Sequence, residues 1–244
     1  MEGFQGIYKS VEKICKIFGV NFVPDDDCSN RRRIRNIVCI QIFFHLFTIY
    51  FYPASFDGVQ LPVYFGLLFT QIVSPLFIEF AINIEAFQKR FDEVDILASF
   101  KGLEDKFPSK VIEAEFKELK QASLNFRLKF LILIVIRIIE IIWAGTTFSL
   151  NMMMPELVLS ASDFAFTFYV DWLTVLTKAF SRNISERKLT TKEIKHHFLE
   201  FHRLAKHLTE RFSLSLLLNI TFNFIISVMS FYWFFIRIVY GPMR

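Results

Sequence analysis

The sequence predicts an all-α fold, a multispan bundle of transmembrane helices whose N-terminus lies in the cytosol. Three observations predict it. The 244 residues are 53% hydrophobic and include 32 Phe, more apolar side chain than a soluble domain of this size usually carries. Five apolar runs reach the length of about 20 residues that a membrane span requires. Lys and Arg also alternate sharply between the segments that separate those runs.

The predicted spans follow one another within a single transmembrane domain, residues 1–244. The first is preceded by the basic stretch "RRRIR", and the mixed charged and apolar residues 1–20 do not form a signal peptide. We therefore expect the first span to serve as its own insertion signal. The five spans cover residues 36–56, 60–82, 129–150, 157–179 and 213–240.

The distribution of basic residues predicts the orientation of these spans. Segments 1–35, 83–129 and 181–212 together hold 24 of the 28 Lys and Arg, whereas loops 57–59 and 151–156 hold none. Basic segments remain on the cytosolic side of a membrane. The three basic segments are therefore predicted to be cytosolic, and the two short loops to be external.

The cytosolic segments are predicted to be helical extensions of the spans. Apolar residues recur at steps of three and four, which places them on one face of a helix. We expect these faces to pack into a cytosolic bundle or against other subunits. The three stripes are Ile84, Phe87, Phe91 and Val94; Ile112, Phe116, Leu119, Ser123, Phe126 and Phe130; and Ile194, Phe198, Phe201, Ala205, Leu208 and Phe212.

Ionisable residues interrupt the third and fourth spans. Arg137 and Glu140 are three residues apart and share a helix face. Arg137 and Asp171 lie at the same estimated depth, each about 12 Å from the cytosolic side. We therefore predict an intramembrane ion pair between Arg137 and Asp171, with Glu140 above it, which serves either as a buried brace or in gating.

A second group of polar and aromatic residues is predicted nearer the outer face. Asp163 is an intramembrane carboxylate without an obvious partner, which makes it a candidate for ligand binding. Aromatic rings and hydroxyl groups at similar depth would complete a pocket for a small organic molecule. The alternative is that the rings belong to the aromatic belt at the membrane interface. The candidate ligand-binding residues are Trp143, Thr146, Asp163, Thr167, Tyr232 and Trp233.

Signatures of enzymes, metal sites and cofactor sites are not found in the sequence. It contains no Gly-rich phosphate loop, HExxH or GxSxG motif, and we predict a protein that is not an enzyme and has no cofactor. Cys15, Cys28 and Cys39 lack metal-binding spacing. A helix face carrying His196, Glu200, Arg203 and His207 is interpreted as solvated charge. Because the basic residues follow the membrane topology, nucleic acid is not an expected partner.

The fifth span reads "LTERFSLSLLLNITFNFIISVMSFYWFFIRIVYG". This span resembles the fifth span of insect gustatory receptors, part of the insect chemosensory receptor superfamily. The resemblance rests on the helical segment that precedes the span, on Asn219 and Phe222 within an aliphatic stretch, and on Tyr240 near the outer end. The cytosolic N-terminus and the short external loops add to the resemblance. That family has seven spans, so the chain is expected to be truncated relative to it.

The resemblance implies a gustatory receptor of the plasma membrane, a subunit of a ligand-gated cation channel in taste neurons. Its partners would be a small-molecule tastant, the lipid bilayer and other subunits, in a homo- or hetero-oligomer that in this family is a tetramer. Two alternatives remain open at this point. One is a non-conducting subunit that modifies complete receptors, and the other is a small membrane transporter.

Overall fold

The structure, a computed structural model, describes residues 4–20, 32, 35–43, 46, 74–106, 109–144, 147–186 and 189–240. All regular structure in this described part is helical, which confirms the predicted all-α class. The helices are α1 (Phe4–Ile17), α2 (35–43), α3 (Ser74–Gln88), α4 (Arg90–Glu104), α5 (Ser109–Ala144), α6 (Thr147–Ser185) and α7 (Thr191–Tyr240). Most of the predicted spans 36–56 and 60–82 lies outside the described residues.

Helix α6 is the centre of the bundle. It packs along α5 and α7 and also contacts α3, α1 and α4. Its apolar side chains form the core with those of α4 and α7, and Phe100 stacks on Trp172 with ring centroids 3.9 Å apart. Tyr169 and Phe212 extend this aromatic cluster. The core therefore fixes α4, α6 and α7 around one another.

The two longest helices that flank α6 have exposed apolar faces. On α5 these include Leu131, Ile132, Val135 and Ile139, and on α7 they include Leu217, Ile220, Phe224 and Phe231. Within the described chain, Thr191–Val228 is the one helical segment whose length and composition would let it cross a membrane, and only 28% of its apolar window is buried. A core helix of a soluble protein would instead be mostly buried.

Helices α5 and α7 are both longer than a bilayer requires, as is α6 between them. With 36 residues in α5 and 50 in α7, their lengths are about 54 and 75 Å, against a hydrocarbon thickness of about 30 Å. The N-terminal half of both α5 and α7 carries the charged residues on its surface, and it also contributes the side chains that pack in the core. Each of these helices thus combines an apolar-surfaced half with a half that belongs to the core.

The prediction of a loop at residues 151–156 is wrong, because these residues are part of α6. Helix α5 ends at Ala144 and α6 begins at Thr147, so the connection between the two helices falls several residues earlier than expected. Pro155 lies inside α6. A proline removes one backbone hydrogen bond from a helix but does not always end it.

The predicted apolar stripes are confirmed in part. Leu119, Ser123 and Phe130 are buried on α5, as are Phe201, Leu208 and Phe212 on α7. The prediction that Phe198 belongs to the packed face is wrong, since its side chain is 65% exposed. Leu204, which was not predicted, is buried in the core. The side chains of Ile112, Phe116 and Phe126 lie outside the described residues.

The stripe predicted through Ile84, Phe91 and Val94 is wrong, because all three side chains are exposed. Helix α3 ends at Gln88 and α4 begins at Arg90, so the chain does not continue as a single helix. The buried positions nevertheless keep one helical phase across this break, and the predicted stripe lies on the opposite face. They are Ile82 and Ala86 before the break, and Glu93, Ile96, Phe100 and Leu103 after it.

Candidate functional site

A polar stripe follows one face of α6. Asp163, Thr167 and Asp171 are spaced by four residues, which aligns them on that face. They line a groove between α5 and α6 with a volume of about 670 Å³. Its other lining residues are Ser123, Asn125, Lys129, Phe130 and Leu133 from α5, and Ser160, Phe164 and Phe168 from α6.

The end of the groove farthest from Arg137 carries Ser123 and Asp171. The Ser123 side chain is 3% exposed, and its hydroxyl has no hydrogen-bond partner among the described residues. The Asp171 carboxylate likewise has no hydrogen bond or ion pair with any residue that the structure describes. A buried hydroxyl without a partner is costly, and its position on the same groove as an unpaired carboxylate is a sign of a site.

Asp163 links the groove to α7. The side-chain amide of Asn219 donates a hydrogen bond to Oδ2 of Asp163, and the Asn223 amide donates to Oδ1 of Asn219 at 2.7 Å. Asn219, singled out above in the fifth span, thus contacts the carboxylate predicted to bind ligand. A change at Asp163 can be transmitted directly to α7 through this contact.

The structure brings together Asp163 and Thr167 of the predicted ligand-binding group. Trp143 lies on α5, and Tyr232 and Trp233 lie on α7, but their side chains are outside the described set. Thr146 falls in the undescribed connection between α5 and α6. Ser123 was not among the residues predicted to line a pocket, although the sequence carries a signal for it: it is a small polar residue within an apolar stripe.

The partner predicted for Arg137 is corrected by the structure. Nε of Arg137 donates to Oε2 of Glu156 at 2.6 Å, and Nη2 donates to Oε1 at 2.8 Å. Asp171 lies fifteen residues farther along α6, about 22 Å from Glu156. The earlier helix connection explains the shift, because it moves the register of α6 against α5. The side chain of Glu140 lies outside the described residues.

A charged pair on α3 and the adjoining turn contacts the middle of α7. Lys89 Nζ donates to the carbonyl of Glu210 at 2.5 Å and bonds Glu85 at 2.8 Å. Glu85 in turn accepts the Ser215 N–H at 3.0 Å, the Ser215 hydroxyl at 2.6 Å and the Leu214 N–H at 3.3 Å. In an uninterrupted helix, the carbonyl of residue 210 pairs with the N–H of residue 214.

The Glu85–Lys89 pair therefore supplies second partners for one turn of the α7 backbone. This turn coincides with the predicted entry of α7 into the membrane at residue 213. These bonds anchor this turn of α7 to α3 and to the turn that follows α3.

A buried ion pair lies beside this turn. Arg211 and Glu93 are each 2% exposed, and their side chains approach to 3.5 Å. Arg211 also donates to the carbonyl of Val20 at 3.2 Å, and the Tyr169 hydroxyl donates to Glu93 at 2.9 Å. Burial raises the pKa of Glu93, while Arg211 and Tyr169 act to lower it. The network ties the chain after α1 to α4, α6 and α7.

The face of α7 with His196 and Glu200 is largely solvated, as predicted. Glu200 accepts a bond from Lys106 at 2.6 Å and contacts Nδ1 of His197 at 3.0 Å. Although partial burial opposes it, the bond from Lys106 holds the pKa of Glu200 below its ordinary value. Among the described residues, no three His, Cys, Asp or Glu side chains cluster closely enough to hold a metal ion.

Comparisons with protein-family models, with curated proteins and with solved structures found no match to this chain.

Proposed function

We propose that the chain is a multi-pass helical membrane protein and a chemosensory receptor subunit of the gustatory type. In this proposal the apolar faces of α5 and α7 lie in lipid, and the basic segments lie in the cytosol. The exposed Leu, Ile and Phe side chains on those faces support it, because soluble monomers rarely expose large contiguous apolar patches. The alternation of basic segments supports the orientation.

The observation that carries the receptor proposal is the groove between α5 and α6. It combines carboxylates, hydroxyls and aromatic rings within about 670 Å³, a size and composition typical of small-molecule sites. The groove is therefore the place where a tastant would bind.

Helix α7 is the element through which binding would act. Asn219 connects it to Asp163 in the groove, and four residues earlier Ser215 bonds to Glu85. A ligand that binds one arrangement of this helix more tightly shifts the population toward it. We propose that this shift opens a cation pathway formed with other subunits.

Current recording with verified surface expression tests the proposal. The chain is expressed in cultured cells alone and together with a complete chemosensory receptor, and a panel of sugars, alkaloids and amines is applied. The proposal expects tastant-dependent cation currents in which Asp163→Asn shifts the concentration dependence and Asp95→Asn, an exposed position on α4, does not.

Three other results each have a meaning. Currents that change only when a complete receptor is present identify a modifier subunit. Uptake of a labelled compound without current identifies a transporter. Surface-expressed protein that yields neither currents nor altered partner currents nor uptake contradicts the receptor proposal.

A further inference from the structure

We propose that the end of the groove between Ser123 and Asp171 binds the ammonium group of a primary amine. The hydrocarbon chain of this amine lies along the apolar part of the groove, toward Phe130 and Leu133. The inference deepens the proposed receptor function by naming the chemical class of its ligand, and it rests on that function only for the biological role of binding.

The register of α5 against α6 places the two polar groups level with each other. Arg137 bonds to Glu156, which fixes one point of this antiparallel pair. Ser123 lies fourteen residues before Arg137, and Asp171 fifteen residues after Glu156, so both are about 21–22 Å from that point. Both residues line the same groove.

The bonding capacity of this end is unused within the described structure. The buried Ser123 oxygen has no partner there, and neither does the Asp171 carboxylate. A buried polar group without a hydrogen bond destabilises a fold, so its persistence calls for an explanation such as a ligand. Ser123 and Asp171 together offer a hydroxyl oxygen and a carboxylate.

These two acceptors favour a primary ammonium group. Its three N–H donors can bond to the carboxylate and to the hydroxyl oxygen at once, and its positive charge complements Asp171. An anion is disfavoured, because Asp171 and Asp163 both face the groove. A trimethylammonium group carries the same charge but has no N–H to donate, so it would leave Ser123 unsatisfied.

The rest of the groove suits an unbranched apolar chain. Phe130, Phe164 and Phe168 line it beyond the polar end, and Leu133 lies ten residues along α5 from Ser123, about 15 Å away. Lys129 also lines the groove and is exposed. Its positive charge disfavours a second cation midway along the ligand, so we expect a single terminal ammonium group.

Equilibrium binding of radiolabelled hexylamine to the full chain in lipid vesicles tests the inference. Hexan-1-ol and hexyltrimethylammonium serve as competitors, since the first lacks the charge and the second lacks the donors. Saturable binding is expected, and both competitors should be weaker than unlabelled hexylamine by roughly tenfold or more, the loss typical of a bond to a charged group.

Two variants and one control make the outcome specific. Asp171→Asn and Ser123→Ala should each weaken hexylamine binding by roughly tenfold, whereas Asp95→Asn on α4 should leave it unchanged. Ser123→Ala removes a buried hydroxyl without a partner, so its melting temperature should not fall, and its loss of affinity cannot be ascribed to misfolding.

Equal affinity for hexylamine and hexan-1-ol, or full affinity in both variants, overturns the inference. Amine binding without tastant-dependent currents supports the amine site and counts against the receptor proposal. Tastant-dependent currents without amine binding support the receptor proposal and overturn the amine site.

Discussion

Arg137 and Glu156 form a two-bond ion pair that joins α5 to α6, with N–O distances of 2.6 and 2.8 Å. The planar guanidinium matches the carboxylate in this geometry, which adds orientation as well as energy. About a quarter of each side chain is exposed. The pair sets the register of the two helices and, through it, the position of Asp171 opposite Ser123.

Breaking this pair should destabilise the protein. In Arg137→Met the Glu156 carboxylate loses its partner, and we expect a loss of about 1–3 kcal/mol, between the values typical of exposed and buried pairs. The double variant Arg137→Met with Glu156→Met should recover part of the loss, because no charge is then left unpaired. Thermal unfolding in detergent measures both effects. If the double variant loses as much stability as the two single variants lose together, or more, this account is contradicted.

The contact of Lys89 with α7 should protect the backbone of that helix. Lys89→Met removes the donor to the Glu210 carbonyl and leaves Glu85 without its cation. We therefore expect faster amide hydrogen exchange between residues 210 and 215, together with a lower melting temperature.

Lys206→Met is the matched control for this variant. Lys206 is exposed and lies 3.7 Å from the Glu210 carboxylate on the same helix, so its loss should leave exchange unchanged. Equal exchange rates in Lys89→Met and in the unchanged protein would show that the contact does not restrain α7.

The Lys106–Glu200 bond should weaken in acid. The folded-state pKa of Glu200 lies below its ordinary value of 4.5. Its stabilising contribution is therefore complete above pH 4.5 and disappears as the pH falls through the folded-state pKa. Thermal unfolding of Glu200→Gln should show lower stability than the unchanged protein at pH 6, and the difference should shrink below pH 4.5. A difference that persists in acid would mean that the charge is not its source.

The sequence predicted the helical class and part of the core, because apolar periodicity reflects burial directly. It failed on α3 and α4, where the apolar Ile84 and Phe91 are exposed and the opposite face is buried although it carries charged residues. Gly145 does follow the end of α5 and was a usable stop signal.

Buried charges were the other source of error. Sequence analysis made no prediction for Arg211, Glu93 and Glu85, yet all three are buried. Their burial depends on partners that are distant in the chain, such as Ser215 for Glu85, and periodicity carries no information about such pairings. By contrast, the shared face of Asp163, Thr167 and Asp171 follows from their four-residue spacing alone.

Cysteine accessibility on α7 tests the central claim, that the apolar half of this helix lies in lipid. Phe198 and Ile220 are 65% and 70% exposed on the same helix, one in its charged half and one in its apolar half. Each is replaced by Cys in a chain whose Cys28 and Cys39 are Ser, and a water-soluble maleimide is applied to permeabilised cells. We predict that Phe198→Cys reacts and that Ile220→Cys reacts only after detergent solubilisation. Equal labelling of both positions before detergent is added would contradict the membrane assignment.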